Sequence, residues 1–424
     1  KGLFTFRKGE TGPARQFHIR GLFARMTEPS PQFYKVEDLE IEMKKGLVNG
    51  ALQIDITGKR PRITGQITAP KTDVTAFLKS TDLGKRDKGT SKLFSSDPLP
   101  FHVLDRVDAK IDFSVEALML SPSWTVLDFE AKAKLENGHL QVDPIAGTVA
   151  QGKVEGQLDI RAQAEMPYVS TTFRLDHLSL SKIPVDSQDT QKLQGNFDLE
   201  IDVTGKGRSM AAIMSTLEGE AQIQMKDGHI ANPYIKRLDV FGTDFSTGVF
   251  RLLNPFEKHT QETVINCFVC RFRVHQGIVE SEAMVFNTPQ MVVVAEGKAN
   301  LKTERLDFSF KPSPKKGIGI KGLVQINLSL DDLTRPFKLG GTLTHPSLAV
   351  DPAQSALFIG KALGGAVLFG PVGIAAVLLS GDVADQENPC LAAIETAKKK
   401  EVEAAGKKGS WARHGTEEKT EKGD

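Results

Sequence analysis

Apolar and polar residues alternate one for one along much of this chain, and few folds accept that pattern. Phe197-Asp198-Leu199-Glu200-Ile201-Asp202-Val203 puts four apolar side chains on one face of an extended strand and three carboxylates on the other. The same period of two runs through Leu52-Gln53-Ile54-Asp55-Ile56, Leu306-Asp307-Phe308-Ser309-Phe310 and Ile326-Asn327-Leu328-Ser329-Leu330. Strands of this kind have one dry and one wet face, unlike the continuous apolar runs of a doubly covered parallel sheet. Tight-turn signals separate them: Met43-Lys44-Lys45-Gly46-Leu47, Leu135-Glu136-Asn137-Gly138-His139-Leu140, Met225-Lys226-Asp227-Gly228-His229-Ile230 and Val274-His275-Gln276-Gly277-Ile278. Asn-Gly and Asp-Gly supply the positive φ that hairpins need. The second and third copies start 90 residues apart and read as a diverged repeat. The chain is therefore expected to be mainly β, an antiparallel sheet laced by hairpins.

Helices are expected to be few and short. Ser209 caps a candidate helix from Met210 to Leu217 that Gly219 stops, Asp73–Leu78 is a weaker one, and 232–256 carries Tyr234, Leu238 and Phe241 at helical spacing. Residues 79–91 read as a polar loop. Between Ala362 and Ser380 lie nineteen uncharged residues, long enough for a membrane span. Gly364-Gly365, Gly370-Pro371 and Gly373 interrupt them, so a helical hairpin, docked on protein or dipped into a membrane face, fits better than a straight crossing. From 395 to 424 Lys, Glu and Gly dominate and a disordered tail is expected.

Composition narrows the function. Lys and Arg (54) balance Asp and Glu (53), which argues against nucleic acid as a partner. Tyr (3) and Trp (2) are too scarce beside 24 Phe for the aromatic girdles of an outer-membrane barrel. Three Cys cannot build a disulfide scaffold. The sequence holds no phosphate cradle, dinucleotide fingerprint, nucleophile elbow or paired zinc-binding His. Cys267 and Cys270 sit in a strand pattern, so their side chains point to opposite faces and cannot share a metal. Buried structural Cys is the favoured reading, with a bond from Cys390 to one of them left open. No catalytic residue, metal or cofactor is identified. Two readings of the long apolar face remain: closed β-sandwich cores, or an open groove for acyl chains.

Several ordered segments resemble the AsmA family of Gram-negative bacteria. They include Phe94-Ser95-Ser96-Asp97-Pro98-Leu99-Pro100-Phe101, Leu135 to Gly147, Leu193-Gln194-Gly195 to Gly207, and Leu217-Glu218-Gly219 to Gly228. Val264-Ile265-Asn266-Cys267, Phe272 to Gly277, Gly297 to Glu304, Gly340 to Leu343, His345-Pro346 and Asn388-Pro389-Cys390 continue the likeness. The resemblance implies a periplasmic lipid-binding and lipid-transfer protein, anchored in the inner membrane by a helix missing from this chain. It would move phospholipid toward the outer membrane through a twisted sheet curled into an open groove. The alternative is a non-enzymatic assembly factor for outer-membrane proteins. The expected parts are a β-groove segment (1–192), a family C-terminal β domain (193–354), an apolar helical end piece (355–394) and the tail. Expected groove-lining residues are Leu199, Ile201, Val203, Ile223, Met225, Phe308, Phe310 and Leu328. Leu363, Leu368, Phe369, Ile374 and Leu378 are expected to close the groove end or meet a membrane, while Asp198 stands free on the wet face.

Overall fold

The computed structural model describes residues 2–7, 17–26, 32–43, 46–75, 92–121, 124–183, 193–231, 262–315, 337–349 and 388–398. Strands β1 (Gly2–Arg7), β2 (Phe17–Met26), β3 (Phe33–Met43), β4 (Gly46–Asp55) and β5 (Arg62–Asp73) come first. Then follow β6 (Asp108–Ser121), β7 (Trp124–Glu136), β8 (His139–Val149), β9 (Gly152–Arg161), β10 (Tyr168–Ser179) and β11 (Leu193–Lys206). Helix α1 (Met210–Ser215) leads to β12 (Glu218–Ala231), β13 (Glu262–His275), β14 (Ile278–Asn287), β15 (Met291–Asn300) and β16 (Arg305–Pro314). Strands β17 (Phe337–Gly341) and β18 (Pro346–Ala349) complete one eighteen-stranded sheet, and helix α2 occupies 389–398.

Every strand pairs with its neighbours in sequence, and β1 and β18 do not pair with each other, so the sheet is not closed. Among the described residues all strand pairings are antiparallel except one. Strand β6 runs parallel to β5, Arg62 facing Asp108 and Asp73 facing Met119, which corrects the expectation of an antiparallel sheet throughout. A parallel join needs a long return connection, and 74–107 supplies it. The ladder also crosses the 192/193 boundary without a break, since β10 and β11 pair from Tyr168–Lys206 to Ser179–Asn196.

Turn chemistry succeeds in two copies and fails in a third. Asn137 and Gly138 (φ 52° and 70°) and Gln276 and Gly277 (φ 48° and 69°) make the expected two-residue hairpins. Asp227 also takes a positive φ (50°), yet β12 runs straight on, Lys226 facing Cys267 and Gly228 facing Ile265. Here the same local conformation makes a bulge, because β11 and β13 offer partners on both sides beyond it. His229 consequently lies inside a strand and is not equivalent to His139, the first residue after a hairpin. Asp38, Asp128 and His177 mark similar bulges in β3, β7 and β10. At Gly219 (φ 131°), where β12 meets Val203, an added Cβ would lie 2.0 Å from the Asp202 carbonyl oxygen. Bulges and glycines of this kind add local bend and twist to a sheet.

α1 is capped as expected: Ser209 accepts a hydrogen bond from the Ala212 N–H at 3.2 Å. It ends at Ser215, short of Leu217, and seats Ile213 over Gly205. Helix α2 crosses the expected tail boundary at 395.

Candidate functional site

The register lines up apolar side chains across the sheet. Paired residues share a face, and one row runs Phe113, Ala131, Ile145, Gly156, Phe173, Ile201, Ala221, Phe272 from β6 to β13. A second row runs Val154, Leu175, Leu199, Ile223, Cys270, Met284. Val203 belongs to a third with Ile111, Ala133, Val142, Leu158 and Thr171. Five large side chains of the first row, Phe113, Ile145, Phe173, Ile201 and Phe272, are only half-buried, as are Leu199, Val203 and Ile223. Among the described residues no second layer fully covers them. Four of the expected lining residues therefore lie together on a half-open apolar face.

Met225, Phe308 and Phe310 share that face but are packed away, at 7–8% exposure, in a cluster with Phe286, Val293 and Phe337. Phe310 stacks on Phe337 at 4.8 Å, and Phe272 meets Phe308 edge-on at 6.5 Å. Such ring pairs contribute about 0.5–1.5 kcal/mol beyond their buried area. At its β12–β17 end the apolar face is thus a core, and the abundant Phe build it. Leu328 and the end-piece residues Leu363, Leu368, Phe369, Ile374 and Leu378 lie outside the described residues, as do the polar loop 79–91 and the stretch 232–256.

The opposite face is wet over most strands but dry over β13–β15. Val269, Val285, Val292 and Val294 are buried there under α2, through Cys390, Ala393 and Ala397. A disulfide joins Cys267 on this face to Cys390, with a sequence separation of 123. Cys270 points to the apolar face, free and buried, and burial pushes its thiol up to about 12. The opposite orientation expected for Cys267 and Cys270 is what separates them. On the wet portion Arg174 bonds Asp176 at 2.8 Å and Glu200 at 3.3 Å, and at the border of the dry patch the buried Arg271 reaches Glu220 at 2.6 Å and Glu282 at 3.0 Å. Asp198 is not free: its carboxylate accepts the His177 backbone N–H at 2.6 Å and so fastens the β10 bulge. His139 and His275 pair with Asp159 and Glu218 at 2.7 and 2.8 Å. Among the described residues no group of three or more His, Cys, Asp and Glu is placed to hold a metal ion.

Sequence reasoning missed the strap that borders one rim. Residues 92–108 run past successive hairpin turns. Glu304, 3% exposed, accepts the Leu93 and Phe94 N–H groups at 2.6 and 3.0 Å. Further along, Ala211 donates to the Ser95 carbonyl, Leu99 donates to Arg208, Asp105 accepts from Gln163, and Asp108 donates to Pro61. The Ser-Ser-Asp-Pro-Leu-Pro run inside it signals only irregular chain, since what it binds lies up to 211 residues away.

A single layer of strands paired in sequence order, bent by bulges, with one long apolar face left half open, defines an open β-sheet protein whose distinguishing surface is that face. The chain belongs to the AsmA family, whose family model matches residues 44–284. It is 20% identical over 246 residues to the AsmA family protein YhjG of Escherichia coli (strain K12), a stretch covering 58% of this chain and 33% of that protein. This chain thus spans about a third of the curated relative it matches. No solved structure matches it.

Proposed function

We propose that this chain is the lipid-holding part of a periplasmic lipid-transfer protein contributing to outer-membrane biogenesis. The observation that carries the reading is the half-open apolar row from Phe113 to Phe272, eight strands wide. Phospholipid tails lie along it while headgroups stay in water, so the cost of wetting the chains, about 0.8 kcal/mol per CH₂, is avoided without any catalytic step. The Cys267–Cys390 bond supports an oxidising compartment such as the periplasm. Attachment to the inner membrane through a preceding helix, and contact with a membrane through 356–380, are part of the same proposal.

Mass spectrometry of protein purified without detergent, together with photocrosslinking from Ile201, tests the reading. Stoichiometric phospholipid and lipid adducts are expected. Absence of both sinks it, and protein adducts in their place favour the assembly-factor alternative.

A further inference from the structure

Between Glu116 and Asp128 the chain has eleven residues without a charge, Ala117 to Leu127. Of these, Ala117–Ser121 and Trp124–Leu127 form the far end of the β6–β7 hairpin, where Ser121 faces Trp124. On one side β5 stops pairing at Met119, and on the other β8 stops at Leu127. The tip therefore stands clear of both flanking ladders by two to three residues, roughly 7–10 Å. Three of its large side chains stay open, Leu120 at 37%, Trp124 at 38% and Leu127 at 49% exposed, while Val126 is buried. Ile56, Leu93 and Met166, also exposed, lie beside Asp55, Lys92 and Glu165, whereas the exposed Leu391 on α2 has no charge within three positions. Leu120 and Trp124 have no charged residue within three positions in sequence.

We infer that this hairpin is a finger that enters the surface of a phospholipid bilayer, with Leu120 and Trp124 below the headgroups and Asp128 marking the waterline. A bilayer fits better than a protein partner. The three side chains expose on the order of 250 Å², against about 800 Å² per partner in a stable protein interface. Insertion into lipid needs no matching surface, and the amphipathic Trp ring is suited to the headgroup boundary. The finger shares β6 with the apolar row, through Val115 and Phe113, so it puts the membrane next to that face. It does not depend on lipid occupying the face.

The test reads Trp124 fluorescence in the full chain carrying Trp411→Phe, mixed with phosphatidylethanolamine–phosphatidylglycerol vesicles. A blue shift and quenching by brominated acyl chains are expected. Subtracting the spectrum of Trp124→Phe from that of the unaltered chain isolates the same ring independently. Leu120→Ser should weaken vesicle partitioning, read from the quenching, on the order of tenfold. A Trp124 that brominated lipid does not quench overturns the inference, even if vesicles bind through another segment. Quenching that persists in protein stripped of co-purified lipid separates the finger from the groove: it stands even if the groove proves empty.

Discussion

Breaking the Cys267–Cys390 bond should release α2 and expose the valine face beneath it. Without the crosslink the helix is poorly held. It buries Pro389, Ala393 and Ala397, and its Ile394 is only half-buried. Methyl-sized groups contribute about 0.8 kcal/mol each, whereas ordering a residue costs about 1–2 kcal/mol. Helical hydrogen bonds at about 0.5–1.5 kcal/mol each leave that sum near balance, and isolated helices shorter than about 12 residues are marginal in water. The bond closes a loop with a separation of 123, for which the chain-entropy account gives about 5 kcal/mol. Each factor of ten corresponds to about 1.4 kcal/mol, so Cys390→Ser should speed amide exchange over 391–398 by three to four orders of magnitude. Hydrogen–deuterium exchange with mass spectrometry reads this directly, and Cys270→Ser, on the other face, should leave the helix protected. Less than a tenfold change in Cys390→Ser would refute the reasoning and show that packing alone seats the helix.

Gly219→Ala should destabilise the chain by about 3 kcal/mol or more, because φ is 131° and the new Cβ meets the Asp202 carbonyl at 2.0 Å; a urea-midpoint change equivalent to less than about 1 kcal/mol contradicts this. Asp198→Lys should cost about 1–2 kcal/mol by freeing the His177 N–H, while Asp202→Lys stays within about 0.5 kcal/mol; equal losses in denaturant titrations would show that the bulge does not need its carboxylate. Burial raises the Glu296 carboxyl from 4.5 to about 7. Between those values the folded chain holds a proton that the unfolded chain has released, so stability falls as pH rises through that window. Urea midpoints at pH 5 and pH 8 should show a decline that Glu296→Gln reduces; an identical slope in both proteins refutes the assignment.

How far the sequence could be read differs from element to element. Phe197–Val203 and Leu306–Phe310 alternate so strictly that strand and face follow from the residues alone. Asn137-Gly138 and Gln276-Gly277 turn as their chemistry demands. Asp227-Gly228 carries a similar signal and does not turn, because strands on both sides keep pairing across it. The buried run Met291-Val292-Val293-Val294 has no wet face at all, and the helix that covers Val292 and Val294 lies roughly 100 residues further along the chain. Of the expected lining, Leu199, Ile201, Val203 and Ile223 share the half-open face, but Met225, Phe308 and Phe310 do not stay open. Alternation tells which side a residue faces and nothing about what stands opposite.

By itself the sequence determined the strands, their apolar side and most tight turns, since each depends on residues within a few positions of one another. Only the tertiary structure decided the parallel join of β5 to β6, the bulges, the strap held by Glu304 and the choice of Cys267 over Cys270 for Cys390. Those outcomes rest on contacts between residues far apart in the chain, where local pattern carries no information about which partner arrives.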